Sequence, residues 1–288
     1  MRQRAALEAA GVPQPASRVL SAWEDGLPVP CVVKAPDRQG QRGLALVRSV
    51  AELRPAFDAA IAASRNGSCL VEEWIDGPEL TVNAFSLGGR FTPLTVTDRL
   101  TAEPPAFGVA LAHVWPSEHE TGAVVEAAEE AVAALGIREG PSYTQVRLGP
   151  DGPRVVEVAA RLGGGHDAEL CDAALGVDLN GLALAAALAR EVPGKSLLQR
   201  RSTAGGACVV FLVAPEGELA AVHGIEEARA VEGVLDVLVY RRPGHVFGPL
   251  RRGPDRAGAV LAVGGSPDEA LERAQRAAAT VEFELARR

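Results

Sequence analysis

The sequence predicts an α+β protein, because short β-branched strands joined by glycine turns alternate with a few amphipathic helices. The chain has 288 residues, of which 47% are hydrophobic and 23% charged, a composition typical of a globular protein with a sizeable core. Two hairpins carry the prediction, one around Gly88-Gly89 and one around residues 149–152, since glycine turns favour tight antiparallel connections. Helices are indicated by apolar residues at four-residue spacing, as between residues 53 and 61.

The first quarter of the chain combines a small hairpin with two helices. Gly11 ends the first helix and Ser49 can cap the second. The expected elements are a helix at 2–10, strands at 30–34 and 44–47 around a glycine- and charge-rich turn at 37–43, a helix at 49–63 and a strand at 69–75.

The middle of the chain is expected to consist mainly of hairpins. The helix expected at 118–135 starts with acidic residues, which the helix dipole favours. A glycine run at 163–165 ends the second hairpin. The expected elements are strands at 79–87 and 90–97, a loop at 101–109, a helix at 118–135, strands at 142–148 and 154–159, and helices from 168 to 175 and from 180 to 190.

The polar stretch 193–203 is interpreted as a linker to a separate α+β module at 204–288. The pattern beyond it changes to short apolar runs. The expected elements are strands at 206–212, 219–223, 234–239 and 259–264, and helices at 226–231 and 267–285.

Charge and cysteine usage exclude several classes of protein. The net charge of −8, without a basic stripe, argues against a nucleic-acid partner. The four cysteines form no CxxC pair, so we expect buried thiols in a reducing cytoplasm rather than a zinc or disulfide framework. The sequence contains no run of 18 apolar residues, so we expect no membrane-spanning helix. Its N-terminus lacks the apolar region of a signal peptide.

Lys34 is the first candidate for binding chemistry. It ends a strand and is followed by the glycine-containing turn at 37–43. A lysine beneath such a loop can hold phosphate oxygens while backbone N–H groups cradle the rest. The alternative is a surface lysine beside an ordinary hairpin.

The segment from Val71 to Glu79 is the second candidate. Its strand bends at Gly77-Pro78, and exposed backbone groups at such a bend can read an adenine edge under an apolar cover. Glu79 could accept hydrogen bonds from ribose hydroxyls. The alternative is a polar turn beside a core tryptophan.

Gln145 and Glu157 are the third candidate, on two adjacent strands. Glu157 follows apolar residues and is expected to be buried, and a buried carboxylate is costly unless it is paired or binds metal. Two such oxygens suit Mg²⁺, and Arg161 could reach the same phosphates. The alternative is a structural ion pair between Glu157 and Arg161.

The glycine run that precedes His166 is the fourth candidate. Glycines there allow positive φ and a close backbone approach to a ligand, whereas the alternative is a flexible connector. His113, His119 and His166 lie in different expected elements, so they are interpreted as scattered rather than as a metal site. His166 alone is a candidate for the substrate pocket.

The order of these features resembles the ATP-grasp superfamily. The matching stretches are CVVKAPDRQGQRG, LVEEWIDGPELTV and YTQVRLGPDGPRVVEVAARLGGG, and the segment from residue 207 onward looks like the C-terminal domain of L-amino-acid-ligase-type members. The resemblance implies two α+β subdomains that clamp ATP, at 1–75 (with a residual linker helix at 1–12) and 76–200, followed by a small α+β domain at 201–288. It also implies an ATP-dependent carboxylate–amine ligase that joins amino acids or peptides through an acylphosphate.

The resemblance assigns a role to each candidate residue. Lys34 would touch the α and β phosphates, and the loop with Gly40 and Gly43 would cover the β and γ phosphates. Arg161 would stabilise the transferred phosphoryl group. The remaining implied sites are adenine at Glu72, Glu73, Trp74 and Ile75, ribose at Glu79, Mg²⁺ at Gln145 and Glu157, and substrate at Gly163, Gly164 and His166.

The chain departs from the pattern of that superfamily at three points. Members usually carry an N-terminal α/β domain before the core, with a second ATP-binding lysine just upstream of the first residues here. Ala159 stands where an asparagine metal ligand is common, and Gln145 stands where a carboxylate is common. The alternative function is therefore a truncated, inactive remnant that binds nucleotide or a partner protein. Family members are commonly homodimers.

Overall fold

The structure is a computed structural model that describes residues 2–190, 192 and 204–287. The segment 193–203, interpreted as a linker, lies outside the described residues. Within the described part, no helix is both long and apolar enough to cross a membrane.

The first part of the chain forms a four-stranded antiparallel sheet backed by one helix. The elements are α1 (Arg2–Ala9), β1 (Ser17–Leu20), β2 (Cys31–Lys34), β3 (Leu44–Val47), α2 (Val50–Ala63) and β4 (Cys69–Glu73), with strand order β1-β4-β2-β3. Leu53 and Phe57 of α2 pack on Val33 and Val47 of the sheet. β1 was not expected, because its residues are mostly exposed and show no apolar alternation.

The middle of the chain supplies five strands and three helices. They are β5 (Glu79–Leu87), β6 (Arg90–Thr101), β7 (Ala110–Trp115), α3 (Gly122–Ala134), β8 (Gly140–Gly149), β9 (Gly152–Ala159), α4 (Asp167–Leu175) and α5 (Leu179–Ala187).

The last part adds six strands and two helices. They are β10 (Gly206–Leu212), β11 (Gly217–His223), α6 (Ile225–Arg229), β12 (Val234–Val239), β13 (Val246–Phe247), β14 (Gly258–Gly264), α7 (Pro267–Thr280) and β15 (Glu282–Leu285), with a short 3₁₀ turn at Gly253–Asp255.

One eight-stranded antiparallel sheet joins the middle and last parts, in the order β12-β14-β10-β7-β6-β5-β8-β9. The junction is the pairing of β10 with β7, where Cys208 lies opposite Val114. The sheet therefore runs across the boundary expected at residue 200. The division into three domains stays a prediction. β13, β11 and β15 form a small separate sheet.

Helices α4 and α5 pack on one face of this large sheet, and α1, α3 and α7 pack on the other. Leu7 of α1 is fully buried against the core that α3 forms with β5, β8 and β9. α7 packs its buried alanines Ala270, Ala274 and Ala277 on the other end of the sheet. The four cysteines are buried and free, as expected, and burial raises the pKa of the Cys69 thiol to about 11.

Two expected helices have different bounds. The helix expected from residue 118 starts at Gly122, because the Asp98 carboxylate accepts the Glu118 backbone N–H at 2.9 Å and holds that residue in a turn. The helix expected to reach residue 285 ends at Thr280, since the alternation Glu-Phe-Glu-Leu that follows has the period of a strand and pairs with β11. Strand β7, which lies between β6 and α3, was not predicted from the sequence.

Candidate functional site

A cleft of about 1110 Å³ lies over the eight-stranded sheet, bounded by β2, β4 and the loop at 37–43 on one side and by the last part of the chain on the other. Nine cationic and five carboxylate side chains are among its described lining residues. The cleft is therefore net positive by four in a chain of net charge −8. Such a field favours an anionic ligand.

Lys34 lines the cleft above a buried carboxylate. Its Nζ lies 2.6 Å from one oxygen of Glu72, whose side chain is only 3% exposed. The other oxygen of Glu72 accepts from Nε of Arg4 on α1 at 2.6 Å. Both oxygens of Glu72 are thus occupied by cations, so this residue supports Lys34 from below.

The bend after β4 depends on one glycine. Gly77 has φ of +147°, and a Cβ there would meet the carbonyl oxygen of Leu148 at 2.1 Å. Arg147 stacks its guanidinium 4.2 Å from the ring centroid of Trp74 and donates to the Gly77 carbonyl at 3.0 Å. The bend is fixed, and Trp74 and Ile75 form a wall of the cleft.

Glu79 is held between two arginines at the floor of the cleft. Its oxygens lie 2.7 Å from Arg99 and 3.2 Å from Arg147. Glu73, in contrast, is exposed and accepts the Ala16 backbone N–H at 3.2 Å. Both glutamates line the cleft.

The loop at 37–43 is anchored to the end of α2. Asp37 accepts the backbone N–H groups of Arg65 and Asn66 at 2.8 and 3.1 Å. Gly40, with φ of +67°, lines the cleft, whereas Gly43 packs against α2 and is not among the lining residues. The two glycines therefore have different surroundings, one facing the cleft and one facing the protein.

Gln145 and Glu157 lie opposite each other on β8 and β9, as expected from the sequence, and their role as metal ligands stays a prediction. The expectation that Glu157 is buried is wrong, because it is exposed to the cleft. A β-bulge at this point turns Val155 and Val158 into the core and Glu157 away from it. Arg4 donates to the carbonyls of Val155 and Val156 at 2.7 and 2.6 Å, which holds the bulge in place.

The oxygens of this pair are available to a ligand. Gln145 lines the cleft, and its amide nitrogen donates to the Tyr143 hydroxyl at 3.0 Å, so the amide oxygen is the atom left to accept from or coordinate a ligand. In the described part of the chain, no cationic nitrogen lies within 4.0 Å of Glu157. The ion pair of Glu157 with Arg161, considered as an alternative, does not form. Arg161 instead donates to the Leu162 carbonyl at 2.7 Å and lies 5.8 Å from the Tyr143 ring centroid.

The glycine run connects β9 to α4. Gly164 lines the cleft, but Gly163 packs so tightly on Asp167 and Tyr143 that a Cβ would lie 2.2 Å from a carboxylate oxygen. His166 lines the cleft with φ of +58° and bonds the Tyr240 hydroxyl at 2.5 Å.

Two polar residues that line the cleft, Arg99 and His113, and one buried beside them, Asp167, were not identified as site residues from the sequence. Arg99 and His113 are nearest neighbours on β6 and β7, in line with Glu79. Asp167, 1% exposed, accepts from the Asn83 amide at 3.1 Å. Burial, reinforced by Arg99 and Arg256, lowers the pKa of His113 to about 4. Polar side chains at every second position of β6, from Thr95 to Arg99, were the available sequence signal.

Comparison with known proteins supplies the family. Residues 27–169 match a family model described as an ATP-grasp domain, and residues 210–286 match one described as L-amino acid ligase C-terminal domain 2. The chain belongs to the ATP-grasp superfamily. This confirms the resemblance and the fold class predicted from the sequence.

Individual relatives agree with this placement. The uncharacterized protein y4rH of Sinorhizobium fredii is 30% identical over 98% of this chain, which spans 60% of that relative. L-amino acid ligase from Bacillus licheniformis shares the fold with a TM-score of 0.86 and 23% identity, covering 99% of this chain and 71% of the other. The biotin carboxylase domain of Hydrogenobacter thermophilus 2-oxoglutarate carboxylase, solved with MgADP and bicarbonate, has a TM-score of 0.75 and 17% identity, covering 98% and 65%.

Proposed function

We propose that this chain acts as an ATP-dependent carboxylate–amine ligase on amino acids or small peptides. A carboxylate oxygen of one substrate would attack the γ-phosphorus, breaking its bond to ADP and giving an acylphosphate. The amine of the second substrate would then attack the acyl carbon, forming an amide and expelling phosphate. The observation that carries the proposal is the convergence of Lys34, the pair Gln145 and Glu157, and Arg161 on one positively charged cleft.

The residues of the cleft fit ATP. Lys34 is 21% exposed, so its ammonium group reaches the cleft while Glu72 fixes its position. The loop around Gly40 offers backbone N–H groups to phosphate oxygens, since successive N–H groups in a turn can form an anion-binding concavity. Trp74 and Ile75 supply the apolar wall for a base.

The residues also fit Mg²⁺. An amide oxygen and a carboxylate on neighbouring strands are hard oxygen ligands, and Mg²⁺ typically takes one or two protein ligands and keeps waters. When bound, the ion neutralises charge on the phosphate oxygens. Gln145 lowers the negative charge of this site by one compared with two carboxylates. For a divalent ion about 4 Å away at an effective dielectric near 20, that charge is worth on the order of 8 kcal/mol of raw attraction, partly offset by solvation.

The chain's own residues would serve the reaction by charge and position. Lys34 and Arg161 present fixed positive charge to the phosphates, and preorganised charge of this kind dominates phosphoryl transfer. Because Glu72 orients Lys34 and the β9 bulge orients Glu157, little reorganisation is needed when substrates bind. Homodimer formation and a cytoplasmic location stay predictions.

The test is phosphate release with pairs of the common L-amino acids, with mass spectrometry of the products. The proposal expects release that requires both ATP and a substrate pair, and an amide product of matching mass. Lys34→Ala should abolish release while Arg18→Ala, an exposed arginine outside the cleft, should not. Nucleotide binding without turnover for every pair would support the alternative of an inactive remnant.

A further inference from the structure

Arg256 stands on the cleft wall that the last part of the chain supplies. It follows the 3₁₀ turn at Gly253–Asp255 and precedes β14. Its guanidinium carbon lies 3.6 Å from the ring centroid of Phe211 on β10, and its Nε donates to the Gly253 carbonyl at 2.8 Å. The guanidinium is therefore held rigidly against an aromatic face.

Arg256 lacks a counterion in the described part of the chain, where no carboxylate oxygen lies within 4.0 Å of it. Arg99 and Arg147 at the floor of the cleft, in contrast, are paired with Glu79 at 2.7 and 3.2 Å. Burial lowers the pKa of Arg256, because the charged form loses water without gaining an ion pair. A desolvated cation of this kind is costly unless an anion binds it.

The donors of Arg256 are only partly used. Besides Nε, one terminal nitrogen donates to the Ala110 carbonyl at a long 3.4 Å. The other terminal nitrogen has no acceptor among the described residues. The free N–H groups form part of the planar fork that matches a carboxylate in two parallel hydrogen bonds.

The surroundings suit a small amphipathic substrate. The His166 ring stacks on Tyr240 at 5.8 Å between centroids and lies 6.3 Å from Phe211. Four strands, β7, β6, β5 and β8, separate Phe211 on β10 from Glu157 on β9. Arg256 therefore lines the same cleft as the pair assigned to Mg²⁺ but lies near its other end, across the width of the sheet.

We propose that Arg256 binds the free carboxylate of the amine substrate, so that the acceptor is an amino acid or peptide rather than a simple amine. This inference rests on the proposed ligase function. The rival occupant is the terminal phosphate of ATP, because the loop that would cover the phosphates reaches the same turn. Gln41 of that loop accepts the Gly253 backbone N–H at 3.1 Å.

A footprint on the wild-type chain tests the inference without requiring turnover. Phenylglyoxal modifies accessible arginines, and peptide mass spectrometry reports the extent at each one. The samples contain single L-amino acids, the corresponding amino-acid amides, or a non-hydrolysable ATP analogue with Mg²⁺. Arg251 is exposed in the same segment and serves as the internal reference.

We expect one or more free amino acids to protect Arg256, while their amides and the ATP analogue alone leave it reactive. Protection by the ATP analogue alone would assign Arg256 to the phosphate. Equal reactivity with every amino acid, with and without nucleotide, would also overturn the inference. Either result can be obtained even if phosphate release is never observed, so the two proposals fail separately.

Turnover gives a second readout. Arg256→Gln should raise KM for a free amino-acid acceptor roughly 10- to 100-fold, the usual effect of losing a hydrogen bond to a charged group, without changing KM for ATP. It should also abolish the preference for free acceptors over their amides, and Arg256→Lys should fall between. Arg251→Gln carries the same charge change and should match wild type. A rise in KM for the donor carboxylate or for ATP would contradict the assignment to the acceptor.

Discussion

Arg4 and Glu72 form a buried ion pair, with Nε 2.6 Å from a carboxylate oxygen and side-chain exposures of 8% and 3%. The same guanidinium binds both carbonyls of the bulge that turns Glu157 into the cleft. One residue of the N-terminal helix thus joins the strand beneath Lys34 to the strand that carries the proposed metal ligand. The two halves of the cleft share this single cation.

Arg4→Gln should lower the free energy of unfolding by about 3 kcal/mol, the low end for breaking a buried pair, because Lys34 still faces Glu72. The measurement is chemical denaturation at neutral pH. Arg18→Gln removes an exposed arginine paired with Glu24 and should cost roughly 0–1 kcal/mol. An equal loss of unfolding free energy in the two variants would show that the buried contacts of Arg4 stabilise the fold no more than an exposed ion pair does.

Gly77→Ala should destabilise the protein by on the order of 2–4 kcal/mol and weaken nucleotide binding. Its φ of +147° is costly for alanine, and the new Cβ would overlap the Leu148 carbonyl. Gly88→Ala is the matched control, since its φ of +61° also disfavours alanine but the space around it is open. It should cost about 1–2 kcal/mol and leave ATP affinity unchanged. The bend has no role in binding if ATP affinity is the same in both variants.

His113 should make stability fall in acid. Its folded pKa of about 4 lies below the value of about 6.5 in the unfolded chain, since burial disfavours the charged ring. The unfolded chain therefore binds the proton first, and the contribution of His113 is complete above about pH 6.5 and is lost as the pH falls toward 4. The difference in unfolding free energy between wild type and His113→Gln should shrink across that window.

His223 gives the opposite sign and serves as the control for this measurement. Its hydrogen bond to Glu284 raises its pKa, so its contribution is complete below the unfolded value and is lost as the pH rises through the folded one. The difference between wild type and His223→Gln should therefore grow as the pH falls toward 6. A pH-independent difference for His113→Gln would contradict its assignment as a buried neutral group.

Local patterns were enough to predict most of the fold and several cleft residues. Lys34, Trp74 and Gln145 each lie beside a turn or in a hairpin whose chemistry is visible within a few residues, and all three line the cleft. The contacts of Arg4 could not be predicted, because they join residues 68 and 151 positions apart. The exposure of Glu157 depends on a bulge, and strand alternation alone places it wrongly.

The last part of the chain was the hardest to predict, because its position depends on contacts between residues far apart in the sequence. Its strands have clear apolar runs, yet nothing local indicates that β10 pairs with β7 and extends the sheet of the preceding part. Arg256 enters the cleft only through that pairing, since Phe211 on β10 supports its guanidinium.

Calorimetric titration of ATP with Mg²⁺ into this chain, beside Lys34→Ala, tests the central claim most directly. The account predicts micromolar binding by the wild type, requiring Mg²⁺, and loss of binding in the variant. The variant removes the lysine side chain beyond Cβ, including the ammonium group that pairs with Glu72, and Arg4 still neutralises that carboxylate. Arg18→Ala is the control with the same loss of one positive charge and should bind as wild type. Absence of binding to the wild type, or equal binding to Lys34→Ala, would contradict the account.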